Sequence, residues 1–260
     1  MTTFTLYNAR GMRVVIDSHD ASLQAWWAPD RYGRMADVLA VTAPLAPSLA
    51  GWQGQMPDEG SLLLHWSRDG LSARLLYRLG DDGSLHLACE ATADAVSRLQ
   101  LPAPWFNLHG RNTNVADHVL RLVAGRCRPA GRLTEEPCDV AGSALDFRQP
   151  APMGTRLGWP SLAGAAGFDH DFYCADGGPS REAGTEAARV ADPASGRVLR
   201  VSTTQNGLHL RSDAGGFCCA AQALELLPGQ CARLALSYRL GVQDIDDFDI
   251  SEPVSMMLNK

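Results

Sequence analysis

The sequence predicts an all-β protein, a large antiparallel β-sandwich, and three observations carry that prediction. Short runs of alternating apolar and polar residues recur from end to end, Gly, Pro and Asp punctuate them, and no long, capped 3.6-residue period builds up anywhere. Alternation sends every second side chain to the same face, which is the period of a half-buried strand. Many short strands with frequent turns fit a sandwich rather than a parallel α/β sheet, whose strands would alternate with helices.

In chain order the predicted strands cover residues 11–16, 61–66, 73–79, 84–91, 118–124, 197–203, 207–211 and 231–240. Asp81-Asp82-Gly83, set between LLYRL and SLHLACEA, predicts a hairpin, and Pro228-Gly229 predicts a further turn. Residues 44–60, rich in Pro, Gly and Ser, read as a connector between two layers. Residues 175–188 read as a polar, Gly-rich surface loop. The stretch 244–260 is acidic and then carries two adjacent Met. With 45% apolar and 20% charged residues, the 260-residue chain has material for one sizeable core, and residues 1–260 are read as a single domain.

Charge narrows the partners. The net charge is -6 and the chain has one Lys, Lys260, with no basic cluster in the sequence, so neither nucleic acid nor an anionic membrane surface is expected. No apolar run approaches the roughly 18 residues of a membrane span, and the opening MTTFTLYNARGMRVVI has no charged segment followed by an apolar one, so a soluble, cytoplasmic protein is expected. Seven cysteines, an odd number without a C-x-x-C pair, suggest neither a disulfide framework nor a zinc site. They read as small buried hydrophobes in a reducing compartment, with no metal and no cofactor. Oligomeric state is left open.

Several segments, taken in order, resemble the aldose 1-epimerase (galactose mutarotase) superfamily. DSHDASLQAWWAPDRYGRMADVLA (residues 17–40) is similar to the family's opening hairpin, and WFNLHG (105–110) followed by ADHVLRL (116–122) to its Tyr-Phe-Asn-Leu-x-Gly and Asp-His pair. AGSALDFRQPAPMG (141–154) resembles Gly-Thr-Pro-x-Asp-Phe-Arg, GFDHDF (167–172) resembles Gly-Tyr-Asp-His-x-Phe, and residues 195–210 and 228–240 resemble the late strands. Each motif alone is weak, whereas six in the family's order are specific. The resemblance implies a galactose mutarotase-like supersandwich with a carbohydrate-sized cleft.

The same comparison implies a loss. Mutarotation opens a cyclic hemiacetal and recloses it, which requires a base for the anomeric hydroxyl proton and an acid for the ring oxygen. The family supplies a His before its Phe-Asn-Leu strand and a Glu in Gly-x-Cys-Leu-Glu-x-Gln; here Ala103 and Ala220 stand at those positions. A family segment between residues 39 and 61 that supplies a substrate-binding Arg and a second His has no counterpart. Losing one general acid or base already costs about 10²–10⁴ in rate, so ordinary mutarotase activity is not expected.

Candidate residues remain. Asp169 matches the family's sugar-hydroxyl-binding Asp, His209 stands where a cleft-lining Gln is expected, and these two are the candidates for proton transfer. Trp105, Asn107, His109, Asp169, His170, His209 and Gln222 are the candidate ligand contacts, with Trp105 offering a flat face for a ring. Asp169 and His170 read equally well as a ligand pair or as turn and strand residues, and as neighbours on a strand at most one of them faces the cleft. His109 reads as a shifted acid or as a turn residue before Gly110. Cys218 and Cys219 read as structural, and Asp244–Asp249 lacks the Gly and Glu of a calcium loop.

Three functions follow: a protein that binds a small sugar or sugar-like ring without ordinary mutarotation; a repurposed enzyme that isomerises or cyclises a non-sugar molecule in a specialised biosynthetic pathway; and an interaction platform without a ligand, built on Trp26-Trp27 or Met256-Met257. Whether the chain is an enzyme is undecided by sequence.

Overall fold

The computed structural model describes residues 2–40, 49–111, 113–132, 134–162, 164–174 and 185–243. In chain order the strands are β1 (Thr3–Tyr7), β2 (Arg13–Asp17), β3 (Leu23–Pro29), β4 (Met35–Asp37), β5 (Gln53–Asp58), β6 (Ser61–Arg68), β7 (Leu71–Leu79), β8 (Ser84–Ala93), β9 (Ser97–Leu99), β10 (Val119–Leu122), β11 (Arg126–Pro129), β12 (Cys138–Asp139), β13 (Ala151–Pro152), β14 (Asp169–Tyr173), β15 (Glu186–Ala191), β16 (Arg197–Thr203), β17 (Gly207–Ser212), β18 (Phe217–Ala220), β19 (Leu224–Leu226) and β20 (Cys231–Val242). A short helix, α1 (Met153–Leu157), and one 3-10 turn (Pro160–Leu162) interrupt them.

Four antiparallel sheets result. β1-β2-β3-β4 form one, β13-β10-β15-β16-β20-β8-β7-β6-β5 a nine-stranded second, β12-β11-β14-β17-β18 a third, and β19-β9 a fourth. This is the expected all-β sandwich, and the predicted strands coincide with β2, β6, β7, β8, β10, β16, β17 and β20 to within a few residues. One expectation is corrected: residues 53–58, read as part of a connector, form edge strand β5, whose exposed side chains hide the alternation that marks buried strands. The surface loop expected over 175–188 is corrected at its end, where residues 186–188 open strand β15, and residues 41–48, 175–184 and 244–260 lie outside the described residues.

Alternation explains the large sheet. On β7, Ala73, Leu75, Tyr77 and Leu79 turn inward while Arg74, Leu76 and Arg78 turn out; on β8, Leu85, Leu87, Cys89, Ala91 and Ala93 do the same around His86, Ala88 and Glu90. The register sets Leu75 opposite Cys89 and Cys89 opposite Leu234, so one apolar row crosses β7, β8 and β20. At the hairpin, Asp82 accepts from the Ser84 amide (3.0 Å) and hydroxyl (2.8 Å). Gly83 is required there: its φ is +84° and a Cβ would lie 2.4 Å from Leu240 O.

Phe106 joins the layers. Its ring lies 6.1 Å from Trp26 of β3, 5.8 Å from Phe217 of β18 and 5.3 Å from Tyr238 of β20, so one fully buried ring touches an aromatic from three sheets. Its backbone also pairs with Phe217 (2.6 and 2.9 Å), while Trp105 O accepts from Ala40 N (2.9 Å) and Asn107 N donates to Val38 O (2.8 Å). Tyr238 then donates its hydroxyl to Cys219 O (2.8 Å), pinning β18 to the nine-stranded sheet. These contacts fix β18 with Cys219 in the core and Cys218 and Ala220, themselves buried, on the other side of the strand.

Candidate functional site

The outer face of β11, β14, β17 and β18 gathers the chemistry. Alternation along β14 puts Asp169, Asp171 and Tyr173 outward and buries Phe172. The register sets Asp171 opposite His209, Asp169 opposite Arg211 and Tyr173 opposite Gly207; on the far side of β17, Ala220 lies opposite His209 and Cys218 opposite Arg211. On β11, Arg128 is opposite Asp171. Partners across an antiparallel ladder share a face. Gly207 lets β14 and β17 close up at Tyr173, since a Cβ there would lie 2.0 Å from Phe172 O.

His209 is the centre of the cluster. Its Nδ1 is 3.1 Å from Asp171 Oδ1 with hydrogen-bond geometry, and its Nε2 is 3.3 Å from Asp169 Oδ1. Because a carboxylate only accepts, Asp171 fixes the proton on Nδ1 and leaves Nε2 as the ring atom turned toward Asp169. Behind Asp171, its Oδ2 is 3.7 Å from Arg128 Nη2, which also donates to Tyr173 Oη at 2.6 Å. Exposure rises along this line, from 13% and 14% for the Arg128 and Asp171 side chains through 23% for His209 to 57% for Asp169. Burial raises the Tyr173 phenol above its usual range, with Asp171 adding to the effect and Arg128 opposing it.

Two further groups border the cluster. The Arg211 guanidinium sits 5.7 Å from the ring centroid of half-buried Trp105. Beside Tyr173 lies Gln222, whose backbone carbonyl accepts from Gln205 Nε2 (3.0 Å) and whose side chain acts on the Tyr173 phenol by hydrogen bonding. Trp105, Asp169, His209 and Gln222 are therefore brought to one face. Sequence reasoning missed Asp171, Tyr173 and Arg211, although Asp171 and Arg211 are two residues from a candidate and Tyr173 four, each therefore on the same side of its strand as that candidate. Arg128 carried no signal, since only the β11–β14 pairing brings it near.

The other candidates lie elsewhere. Asn107 has no exposed surface: its Nδ2 donates to Thr113 O (2.8 Å) and Gly215 O (3.0 Å), and its Oδ1 accepts from His109 N (3.2 Å) and Thr113 Oγ1 (3.1 Å). With its groups occupied by protein, Asn107 braces a turn. His109 Nδ1 meets buried Asp192 Oδ2 at 3.2 Å, away from the sheet face. His170 turns to the opposite side of β14 from Asp169, with its ring 6.4 Å from Phe172, and burial holds it below the usual imidazole range. Burial also pushes the Cys218 thiol up to about 12, and Cys219 higher still, the reverse of what a thiolate nucleophile needs. Trp26 is fully buried and Trp27 lies under Arg13, 3.8 Å from its ring centroid. Among the described residues no group of His, Cys, Asp and Glu is arranged to hold a metal ion, and no helix is long and apolar enough to cross a membrane.

Comparison with known proteins gives the lineage. The family model for aldose 1-epimerase matches residues 52–228. A galactose mutarotase from Homo sapiens is 35% identical over 169 residues, covering 60% of this chain and 47% of that one, so the chain spans about half the length of the curated relatives it matches. Among solved structures, a GalM/aldose epimerase homologue from C. elegans superposes with a TM-score of 0.75 at 14% identity, covering 94% of this chain and 99% of the other. A galactose 1-epimerase from Lactobacillus acidophilus NCFM gives 0.69 at 18% identity, covering 92% and 93%. The chain belongs to the aldose 1-epimerase family.

Proposed function

We propose that this chain binds a sugar or sugar-like ring on the outer face of β14, β17 and β18, and does not carry out ordinary two-group mutarotation. The observation that carries the reading is His209, ordered by Asp171 and turned toward half-exposed Asp169, directly across the ladder from Ala220. By family resemblance the base belongs at Ala220 and the acid at Ala103, so a polar binding floor survives beside two methyl groups. Asp169, His209 and Gln222 offer acceptors and donors to ring hydroxyls, and Trp105 offers a stacking surface.

Titration calorimetry with a panel of hexoses and uronates tests the first half, and polarimetry with α-glucose and α-galactose the second. The expected result is saturable binding of at least one ring, weakened about tenfold or more in Asp169→Ala, with anomers equilibrating at the spontaneous rate. Silence across the panel removes the binding claim, and family-like acceleration removes the claim of lost mutarotation.

A second reading, a repurposed isomerase or cyclase, is favoured by one feature. A histidine oriented through Nδ1 by a carboxylate and presenting Nε2 to an open face is the arrangement of a general base. Its signature is turnover of a small molecule that disappears in both His209→Ala and Asp169→Ala. The seven cysteines form no disulfide with one another, which supports a reducing, cytoplasmic setting for either reading.

A further inference from the structure

The carboxylates of the binding face are already engaged, and one guanidinium is not. Asp169 and Asp171 both contact His209, and Asp171 also faces Arg128. In the turn between β17 and β18, Asp213 is occupied, its Oδ1 accepting from Gly215 N (2.8 Å) and Gly216 N (2.9 Å). Arg211 lies opposite Asp169 on this face, yet among the described residues its guanidinium forms no ion pair or hydrogen bond, and it lies over the Trp105 ring, 5.7 Å from its centroid. A second exposed guanidinium, Arg98 of β9, acts electrostatically on Tyr173 at the other end of the face.

We infer that the ring bound here carries an anionic group, and that Arg211 is its specificity-determining contact. The ligand class is a hexuronate or another acidic sugar. The inference rests on the sugar-binding reading above. A guanidinium presents a planar fork of donors that matches a carboxylate with two parallel hydrogen bonds, and a tryptophan at its side supplies the apolar surface on which the ring carbon skeleton rests. The absence of a carboxylate at Ala220 works in the same direction. A glutamate at that place would stand across from His209 and next to Cys218, the partner of Arg211, and would repel an acidic ring; a methyl group does not.

The test is calorimetry at low ionic strength with galacturonate and glucuronate against galactose and glucose, and with glucose 6-phosphate as a separate arm for a phosphate-bearing ring. The acid sugar is expected to bind about tenfold or more tightly than its neutral counterpart, the scale of one charge-assisted contact. That ratio should shrink in 0.5 M salt, fall to near unity in Arg211→Gln, and recover in part in Arg211→Lys, which restores charge without the fork. Because Arg211 is exposed, both variants are expected to fold, which circular dichroism checks. Equal affinities for acidic and neutral rings, or a preference that survives Arg211→Gln, overturn the inference while leaving sugar binding intact. Preference for the phosphate arm alone overturns the carboxylate assignment, and silence with every sugar overturns the binding reading itself.

Discussion

Two clusters of polar side chains lie on either side of the 105–110 segment, and they are wired differently. In the buried one, Arg197 donates to Leu108 O (2.8 Å), Arg34 O (3.1 Å) and Ala28 O (3.3 Å), Ser195 donates to Leu108 O (3.1 Å), and His118 Nε2 accepts from Leu108 N (3.1 Å). Nearly every bond runs from a side chain to the backbone. In the outer one, Arg128, Asp171, His209 and Asp169 bond to one another. Side chains tied to backbone hold a fold in one arrangement, whereas side chains tied to each other at an open face can exchange partners with a ligand at little cost. The same residue types thus brace the structure in one place and offer recognition in the other.

The largest effect that should separate the two clusters is at Arg197. It is 2% exposed and bridges β3, the turn before β4 and the 105–110 segment. Burial lowers its pKa, with Asp30 and Asp192 opposing that effect, and among the described residues its guanidinium hydrogen bonds run to backbone carbonyls. Arg197→Met removes a buried donor from Ala28 O, Leu108 O and Arg34 O, the last two of which keep Ser195 Oγ and Asp30 N, and we expect a loss of about 2 kcal/mol or more, read from urea unfolding. Arg197→Lys should recover only part of it, because one ammonium cannot reach the same spread of acceptors. If Arg197→Met were as mild as a surface substitution, the bracing role would be wrong.

A second test uses pH. Burial pushes His118 down to about 4, with Asp192 and His109 nearby acting in opposite senses, and its Nδ1 has no hydrogen-bond partner among the described residues. An unfolded histidine titrates near 6.5, so between about 6.5 and 4 the unfolded chain binds a proton that the folded chain refuses. Stability is therefore fully present above about pH 6.5 and drains as pH falls toward 4, by roughly 3 kcal/mol from this one group. His118→Gln, which keeps an acceptor for Leu108 N, should flatten that slope. An unchanged slope would assign the acid sensitivity elsewhere.

The contrast also explains what could be read beforehand. β7, β8 and β20 were legible because each has one buried and one exposed face, and strict alternation marks them. β18 was not, because all four of its residues, FCCA, are buried and a continuous apolar run carries no period. Family resemblance drew attention to Asn107 and His109, but a residue that matches a motif can serve the fold as easily as the site, and only burial and partners separate the two. Asp171 and Arg211 were hidden for the opposite reason. They owe their roles to strand register, and register appears only once the pairing is known.

The smallest expected effect on stability gives the sharpest reading of function. Asp169 is more than half exposed and among the described residues its side chain forms an ion pair with His209 alone, so Asp169→Asn should change unfolding stability by no more than about 0.5 kcal/mol. Its consequences for binding should run in two directions. The amide keeps one acceptor but loses the charge that strengthens a hydrogen bond to a ring hydroxyl, so a neutral hexose should bind more weakly. The same loss removes the negative neighbour directly across from Arg211, so an acidic sugar is disfavoured less or even favoured. The ratio of acidic to neutral affinity should therefore rise in Asp169→Asn and fall in Arg211→Gln, two opposite movements from substitutions facing each other across one ladder. Parallel movement of the two ratios would mean that Asp169 and Arg211 do not share a ligand, and the outer face would then be a surface network of the bracing kind.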